Sequence, residues 1–205
     1  MHVIPHGAEP GVRGGRSVRP VIETGPVVLF FGVWSKYKGI EVLLAAFALV
    51  RADVPESRLV LAGDAGADID VETVLERARQ IGNVDARPGY VPVEDVAPLF
   101  DSARVVATPY IRATQSGVAH LAYTFGRPIV ATAVGDLPEV IQDNVTGLLV
   151  EPGDAEGLAA AIVKLLKDPA MAARLGAAGE KSVDDAWAIA AGRVSDALAE
   201  ATRGH

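Results

Sequence analysis

Residues 108–154 read TPYIRATQSGVAHLAYTFGRPIVATAVGDLPEVIQDNVTGLLVEPGD. This run predicts a strand, a polar loop, a helix, a second strand, a loop and a third strand. The loop 112–116 leads into a helix that is expected to begin near Gly117, and Gly126-Arg127-Pro128 ends that helix. Because the start of a helix presents free backbone N–H groups and the positive end of the helix dipole, this loop is a natural anion site.

Strands and helices alternate along the rest of the chain. Upstream, strands are predicted near 27–33, 58–62 and 85–88, and helices near 40–50, 71–81 and 93–100. In the first of these helices one apolar face at helical spacing is predicted, made by Ile40, Leu43, Leu44, Phe47 and Val50. Asp154 is a candidate N-cap for a helix that ends at Asp168-Pro169, and two Ala-rich helices follow around 170–181 and 184–199. Continuous apolar strands in this order predict an α/β fold, with a parallel sheet of about six strands and helices on both faces.

Four loops follow the predicted strands and are candidates for a binding site. They are Gly32–Gly39, Asp64–Asp68, Gly89–Val91 and Pro109–Gly117. In open parallel sheets ligands bind beyond the carboxyl ends of the strands. The loops are therefore expected to meet at one edge of the sheet.

The composition excludes several classes of protein. The chain has 205 residues, 50% of them hydrophobic, which favours one domain with a sizeable core. Its net charge of −7, without a basic stripe, argues against nucleic acid as the main partner. There is no cysteine, and the four histidines lack ligand spacing, so neither disulfides nor a metal site is predicted. A P-loop motif is absent, and no G-x-G-x-x-G follows the first strand.

Several short motifs together resemble the C-terminal half of a GT-B glycosyltransferase of family 4, also called group 1. The G-x-P-V-V-A-T strand, the G-x-P-E-V turn and the T-G-L-L-V-x-P-G-D element of that family correspond to residues 126–132, 136–140 and 146–154. FGVWSKYKG at 31–39 is similar to the family's first phosphate-binding loop, and LAGD at 61–64 and GYV at 89–91 match its next two strand ends. Each motif is weak alone, and their order over residues 27–198 makes the combined signal strong.

The resemblance implies a donor-binding domain for a nucleotide-diphospho-sugar, as a substrate and not a cofactor, in retaining transfer to an acceptor hydroxyl. It implies no requirement for a metal, because Lys38 and helix N–H groups can neutralise the phosphates. The alternative for Lys38 is a solvated side chain at a helix start, and the alternative for Ser116 is an ordinary N-cap. Tyr90 belongs to the segment that reads the nucleobase, or it packs against the sheet edge. The implied donor-binding residues are Gly32, Ser35, Lys36, Lys38, Gly89, Tyr90, Val91, Thr114, Gln115, Ser116, Gly117 and Val118.

The chain departs from the family pattern at three positions. Ser35 stands where the family has an arginine, and Lys36 is a possible substitute. The family's glutamate pair, spaced E-x7-E, falls on Ala113 and Leu121, so no catalytic residue is assigned. Gln115 is a candidate for a sugar or phosphate contact in their place. These departures favour an alternative: a nucleotide-binding or partner-binding module without catalytic activity.

The predicted organisation is a linker-like, poorly packed segment at 1–26, a Rossmann-like domain at 27–200 and a tail at 201–205. V-I-P-x-G near the N-terminus resembles the family's interdomain connection, so the N-terminal GT-B domain is expected as a partner in cis or in trans. That other half is expected to carry the acceptor site and any peripheral membrane contact. No run approaches the roughly 18 apolar residues of a transmembrane helix, and residues 1–7 do not read as a signal peptide, so a cytoplasmic location is expected.

Overall fold

A computed structural model describes residues 17–112 and 116–185 of the chain. Its strands form one sheet with the order β3-β2-β1-β4-β5-β6, and every neighbouring pair is parallel. The predicted α/β fold is therefore confirmed. The strands are β1 (Val27–Phe31), β2 (Arg58–Gly63), β3 (Val84–Pro88), β4 (Val105–Thr108), β5 (Ile129–Thr132) and β6 (Gly147–Val150).

Most helices lie close to their predicted positions, but residues 137–140, predicted as a turn, form a short helix. Asp70 caps the second helix by accepting from the N–H groups of Glu72 and Thr73, and Asp154 caps the sixth by accepting from Gly157. Short 3₁₀ turns occupy Val21–Glu23 and Lys36–Lys38. The helices are α1 (Ile40–Asp53), α2 (Val71–Ile81), α3 (Val93–Ser102), α4 (Gly117–Thr124), α5 (Leu137–Val140), α6 (Ala155–Lys167) and α7, which covers 169–185.

The central strands are apolar because both of their faces are covered. All residues of β4 and β5 are buried, and so are the three middle residues of β1. Helix α1 packs against α2 and α6, while α3 contacts β1 and α4 contacts β4. On one side of the sheet α1 presents the face predicted from helical spacing, with all five predicted residues buried: Ile40, Leu43, Leu44, Phe47 and Val50.

The strand order reverses direction between β1 and β4. The chain moves from β1 to β2 and β3 on one side, then crosses back to place β4 on the other side of β1. Because such crossovers are right-handed, the helices on either side of this point lie on opposite faces and leave a crevice at the carboxyl ends of β1 and β4. In open α/β sheets ligands bind at such a point, so the fold makes the carboxyl ends of β1 and β4 the candidate site.

Residues 17–26 pack against the domain, in contrast to the poorly packed segment expected there. Val21 is buried, and the Thr24 carbonyl accepts a hydrogen bond from the buried Arg104. The Arg19 carbonyl accepts from the buried Arg127 at 2.6 Å. These arginines need backbone acceptors because a buried guanidinium is costly without hydrogen bonds. The rest of the expected linker, 1–16, and the tail, 201–205, lie outside the described residues.

Helix α7 is also longer than predicted. The expected break between 181 and 184 is wrong, because the helix runs without interruption to 185, the last described residue. Val183 is buried and continues the apolar face, and the hydroxyl of Ser182 bonds back to the Gly179 carbonyl at 2.7 Å. A side chain on Gly179 would overlap the Tyr123 ring, so the helix approaches α4 closely. Within the described residues no helix is both long and apolar enough to cross a membrane.

Candidate functional site

The 3₁₀ turn Lys36–Lys38 is docked on the segment that follows β4. Gly39 has φ of 71°, and a Cβ there would overlap the carbonyl oxygen of Pro109. The N–H of Ile111 donates to the Tyr37 carbonyl at 2.7 Å. Only glycine combines that backbone conformation with so close an approach. The turn after β1 and the loop after β4, far apart in sequence, are therefore joined at the crevice.

In the part of the chain that the structure describes, Lys38 contacts aromatic rings and forms no ion pair with a carboxylate. Its Nζ lies 3.9 Å from the centroid of the Tyr110 ring and 5.4 Å from that of Tyr37. Burial lowers the pKa of the Lys38 ammonium from its ordinary value, and the neighbouring Tyr37 opposes that shift. Among the described residues Lys38 has no ion-pair partner, and a cation in that state at the carboxyl ends of the strands is suited to receive an anion.

The start of α4 lies beside the same tyrosine. Ser116 occupies the N-cap position, yet its hydroxyl makes no capping bond and donates instead to the Tyr110 hydroxyl at 3.4 Å. The interpretation of Ser116 as an ordinary side-chain cap is therefore wrong. Val118, in the first turn of α4, lies so near the end of β1 that a Cβ on Gly32 would contact its side chain at 3.7 Å. The first-turn N–H groups of α4 thus start beside Gly32 and Tyr110.

The third predicted segment, Gly89–Val91, lies at the end of β3. Gly89 donates its N–H to the Gly63 carbonyl at 3.0 Å, which ties this segment to the end of β2. Tyr90 is 79% exposed, so its side chain does not pack against the sheet edge. β3 is two strands from β1, a separation of about 10 Å. The segment therefore borders the crevice at a distance from Lys38.

The remaining predicted residues differ in their surroundings. Ser35 is buried, and Lys36 is exposed with its backbone N–H donating to Asp68 at 3.1 Å. Gly117 opens α4, and a Cβ there would meet nothing within 4 Å. Leu121, where the resemblance places a glutamate, packs against the hydrophobic core. Thr114 and Gln115, together with Ala113, lie outside the described residues.

Several buried polar atoms without a hydrogen-bond partner gather at this edge of the sheet. In the described part of the chain they include Trp34 Nε1, Ser35 Oγ, Thr108 Oγ1 and Asp136 Oδ1, which follow or end β1, β4 and β5. Unpaired buried polar atoms are rare in folded proteins and often mark a site completed by a ligand or by water. Their position supports the same crevice.

Sequence reasoning missed Tyr110, which contacts both Lys38 and Ser116 and so connects the two segments that were predicted to bind phosphate. It is 1% exposed, and its carbonyl accepts from Thr132 Oγ1 at 2.5 Å. Burial raises the pKa of its hydroxyl to about 12, Ser116 opposes the shift and Asp136 adds to it. The signal available in the sequence was an aromatic residue directly after a buried strand and a proline, at the edge where ligands bind. Among residues 17–112 and 116–185, no three acidic or histidine side chains are grouped as metal ligands.

Comparison with known proteins gives concordant results. The family model described as Glycosyl transferases group 1 matches residues 25–168. A D-inositol 3-phosphate glycosyltransferase of Corynebacterium aurimucosum is 34% identical over 185 residues, covering 85% of this chain and 43% of the relative. The chain therefore spans less than half the length of that curated relative.

Solved structures agree in fold. Sucrose-phosphate synthase from Thermosynechococcus elongatus matches with a TM-score of 0.80 and 28% identity, over 100% of this chain and 53% of the other. HepE of Anabaena, solved with UDP and glucose, matches with a TM-score of 0.76 and 18% identity, and the match covers 97% of this chain and 56% of HepE. The C-terminal domain of LpcC, a glycosyl transferase group 1 family protein from Francisella tularensis, matches with a TM-score of 0.68 and 18% identity. The match covers 87% of this chain and 93% of that domain.

Proposed function

Because the chain belongs to the group 1 glycosyl transferases, we propose that it binds a nucleotide-diphospho-sugar in the crevice at the carboxyl ends of β1 and β4. The observation that carries this proposal is the convergence of Lys38 and the start of α4 on Tyr110. One segment supplies a cation without an ion-pair partner among the described residues, and the other supplies backbone N–H donors. Both are complementary to a diphosphate.

The reaction proposed is retaining transfer of the sugar to an acceptor hydroxyl. The bond between the anomeric carbon and the diphosphate oxygen breaks, and its electron pair stays on the leaving diphosphate. A bond from the anomeric carbon to the acceptor oxygen forms, and the proton of the acceptor hydroxyl passes to the leaving diphosphate. Lys38 and the N–H groups of α4 stabilise the negative charge that develops on the leaving diphosphate. In this proposal the phosphate charge is met by protein groups, and no metal ion is required.

We assign the nucleobase to the segment Gly89–Val91. The exposed Tyr90 ring is available to a ligand, and the segment lies about two strand spacings from Lys38. The solved structure of HepE with UDP and glucose supports uridine as the first base to test. Backbone groups of Gly89 and Val91 are the proposed contacts to the base.

We further propose that transfer needs a second domain, in cis or in trans. The chain covers 43% of the D-inositol 3-phosphate glycosyltransferase it resembles, which leaves room for an acceptor-binding half. Holding donor and acceptor together is a large part of the barrier reduction in a two-substrate reaction. The residues of this chain would then bind the donor and activate the leaving group, while the acceptor comes from the other half.

A second candidate is a nucleotide-binding module without catalysis. It is favoured by Leu121, which packs on the core at the position where the family has a glutamate. The two candidates agree on donor binding and differ on transfer. A binding measurement alone therefore does not separate them.

The experiment has two stages. Calorimetry with UDP, GDP and ADP tests donor binding by the purified chain, and we expect saturable binding of at least one. The chain is then incubated with nucleotide sugars and acceptors, alone and with a separately expressed N-terminal domain of a relative. Transfer only in the mixture supports the catalytic proposal, and binding without transfer in either case supports the module. Absence of binding to all three nucleotides would overturn both.

A further inference from the structure

Two tyrosines surround the ammonium group of Lys38. The Nζ atom lies within about 6 Å of both ring centroids, the range in which a cation is attracted to an aromatic face. The rings of Tyr37 and Tyr110 contact each other edge to face, with centroids 6.5 Å apart. No ion pair involves Lys38 in the part of the chain that the structure describes. The Tyr37 hydroxyl also interacts with the ammonium group, so the two tyrosine side chains are the described groups that set its position, with the Tyr110 ring the nearer.

The Tyr110 ring is a rigid platform. Its side chain is buried, its carbonyl accepts from Thr132, and its hydroxyl accepts from Ser116. Its phenol therefore contacts the start of α4 while its face contacts Lys38. A shift of this ring would move the two proposed phosphate-binding elements relative to each other.

The backbone that carries the Tyr37 ring is held by contacts on both sides of the turn. The Ile111 N–H donates to the Tyr37 carbonyl, and Gly39 packs closely against the Pro109 carbonyl. With 43% exposure, Tyr37 closes the outer side of the ammonium group and Tyr110 closes the inner side. Because the lysine stem is long and flexible, this enclosure removes rotamer freedom before any ligand arrives.

We propose that Tyr110, assisted by Tyr37, is a positioning residue that holds the Lys38 ammonium group in place for the phosphates of the donor. The assignment of the ligand rests on the proposed function, whereas the arrangement of lysine and rings does not. The aromatic faces offset the desolvation of the cation, which in most buried lysines is offset by a carboxylate. A carboxylate would compete with the phosphate for the ammonium group, and a ring does not.

This role matters more in this chain because Ser35 occupies the position where the family resemblance places an arginine. Its hydroxyl is buried and uncharged, and Lys36 is exposed with no ring beneath it among the described contacts. Two carboxylates act near this cluster in the described residues: Asp136 acts on the Tyr110 hydroxyl, and Asp68 accepts from the Lys36 N–H. Among the described contacts, Lys38 is thus the cation of this turn that aromatic rings hold in position.

The arrangement is tested first without a ligand. Lys38 Hε protons over the Tyr110 face should show an upfield ring-current shift in ¹³C-lysine-labelled protein, assigned by its absence in Lys38→Arg. We expect Tyr110→Phe to keep the shift and Tyr110→Leu to lose most of it. An unshifted Lys38 signal in the parent protein would overturn the proposal, whatever the protein binds.

Binding of UDP then tests the consequence. We expect Tyr110→Phe to bind within about twofold of the parent and Tyr110→Leu to bind about three- to thirtyfold more weakly. In a Lys38→Met background the leucine substitution should add no further loss, because the two residues act through one contact. An equal loss in both backgrounds would show a merely structural role and would overturn the proposal.

A second variant covers the case in which Tyr110→Leu does not fold. Incorporation of 3,4,5-trifluorophenylalanine at 110 keeps the shape of the Phe ring and withdraws electron density from its face. We expect UDP affinity to fall below that of Tyr110→Phe. Equal affinity of the two would overturn the cation–ring contact. If the parent binds neither UDP nor the other nucleotides, the proposed function fails, and the ring-current measurement alone decides on the arrangement.

Discussion

Replacing Lys38 by methionine is expected to weaken nucleoside diphosphate binding by about 10- to 150-fold. Methionine keeps the apolar stem against the Tyr110 ring and removes the charge. Two unit charges 4 Å apart interact with about 4 kcal/mol at the effective dielectric near a protein surface. Part of that gain is lost to desolvation of the phosphate, so the net range for hydrogen bonds to charged groups, about 1.5–3 kcal/mol, is the appropriate estimate. It converts to the stated fold-change.

Calorimetry with the tightest-binding of UDP, GDP and ADP measures the effect. Lys167→Met is the matched control, since it makes the same charge change at the C-terminal end of α6, where Lys167 is 56% exposed and 4.0 Å from Asp53. The loss in Lys38→Met should shrink at high salt, because a partly exposed charge pair is screened. Equal affinities of the two variants would refute the assignment of Lys38 to the phosphate site.

The pH dependence gives a second readout of the same residue. The ammonium form binds phosphate, and burial lowers the pKa of Lys38 from its ordinary value. The affinity of the parent should therefore fall as the pH rises through that lowered pKa, at a lower pH than for an exposed lysine with a pKa of about 10.4. Lys38→Met should lack this fall. A parent profile that matches the variant's would contradict the reasoning.

Three further predictions concern stability, each measured by urea unfolding. Gly39→Ala should lower the free energy of unfolding by about 3 kcal/mol or more, because the added Cβ would overlap the Pro109 carbonyl. Gly153→Ala, with φ of 81° and open space around its Cβ, should lower it by only about 1–2 kcal/mol. Equal losses in the two variants would show that the overlap with Pro109 is relieved. Asp85→Asn should cost up to about 1 kcal/mol at pH 7, because Arg87 and Arg58 lower the pKa of Asp85. That difference should vanish as the pH falls below about 3.9 and through the lower folded-state pKa, since the stabilisation belongs to the ionised form; a difference that persists in acid would contradict the ion-pair explanation. Tyr123→Phe should cost about 1 kcal/mol through loss of the buried 2.8 Å hydrogen bond to Thr146, and an unchanged stability would show that the bond contributes nothing net.

Much of the architecture was predictable because local pattern and tertiary environment agree. The strands of this sheet are buried on both faces, so they read as continuous apolar runs, and the helices between them carry an apolar face at helical spacing. Helix α2 was predicted with the bounds it has, and Asp154 caps α6 as expected. Family membership followed from the order of several short motifs, and the family model confirms it.

The predicted binding loops do meet at one edge, since parallel strands present their carboxyl ends together. Lys38 and the start of α4 are neighbours across that edge, as the loop positions implied. The roles of the twelve predicted donor-binding residues stay predictions. Thr114 and Gln115 among them lie outside the described residues.

By itself the sequence determined the α/β class, the bounds of most elements to within a few residues, and the edge of the sheet where the predicted binding loops lie. These properties depend on periodicity and chain order, which are local. Only the tertiary structure decided that Tyr110 lies beneath Lys38, that residues 17–26 pack on buried arginines, and that α7 continues past 181. Each of these depends on contacts between segments distant in the chain, where packing overrides local preference. Local pattern therefore predicts the location of the candidate site, and long-range packing places the Tyr110 ring against its lysine.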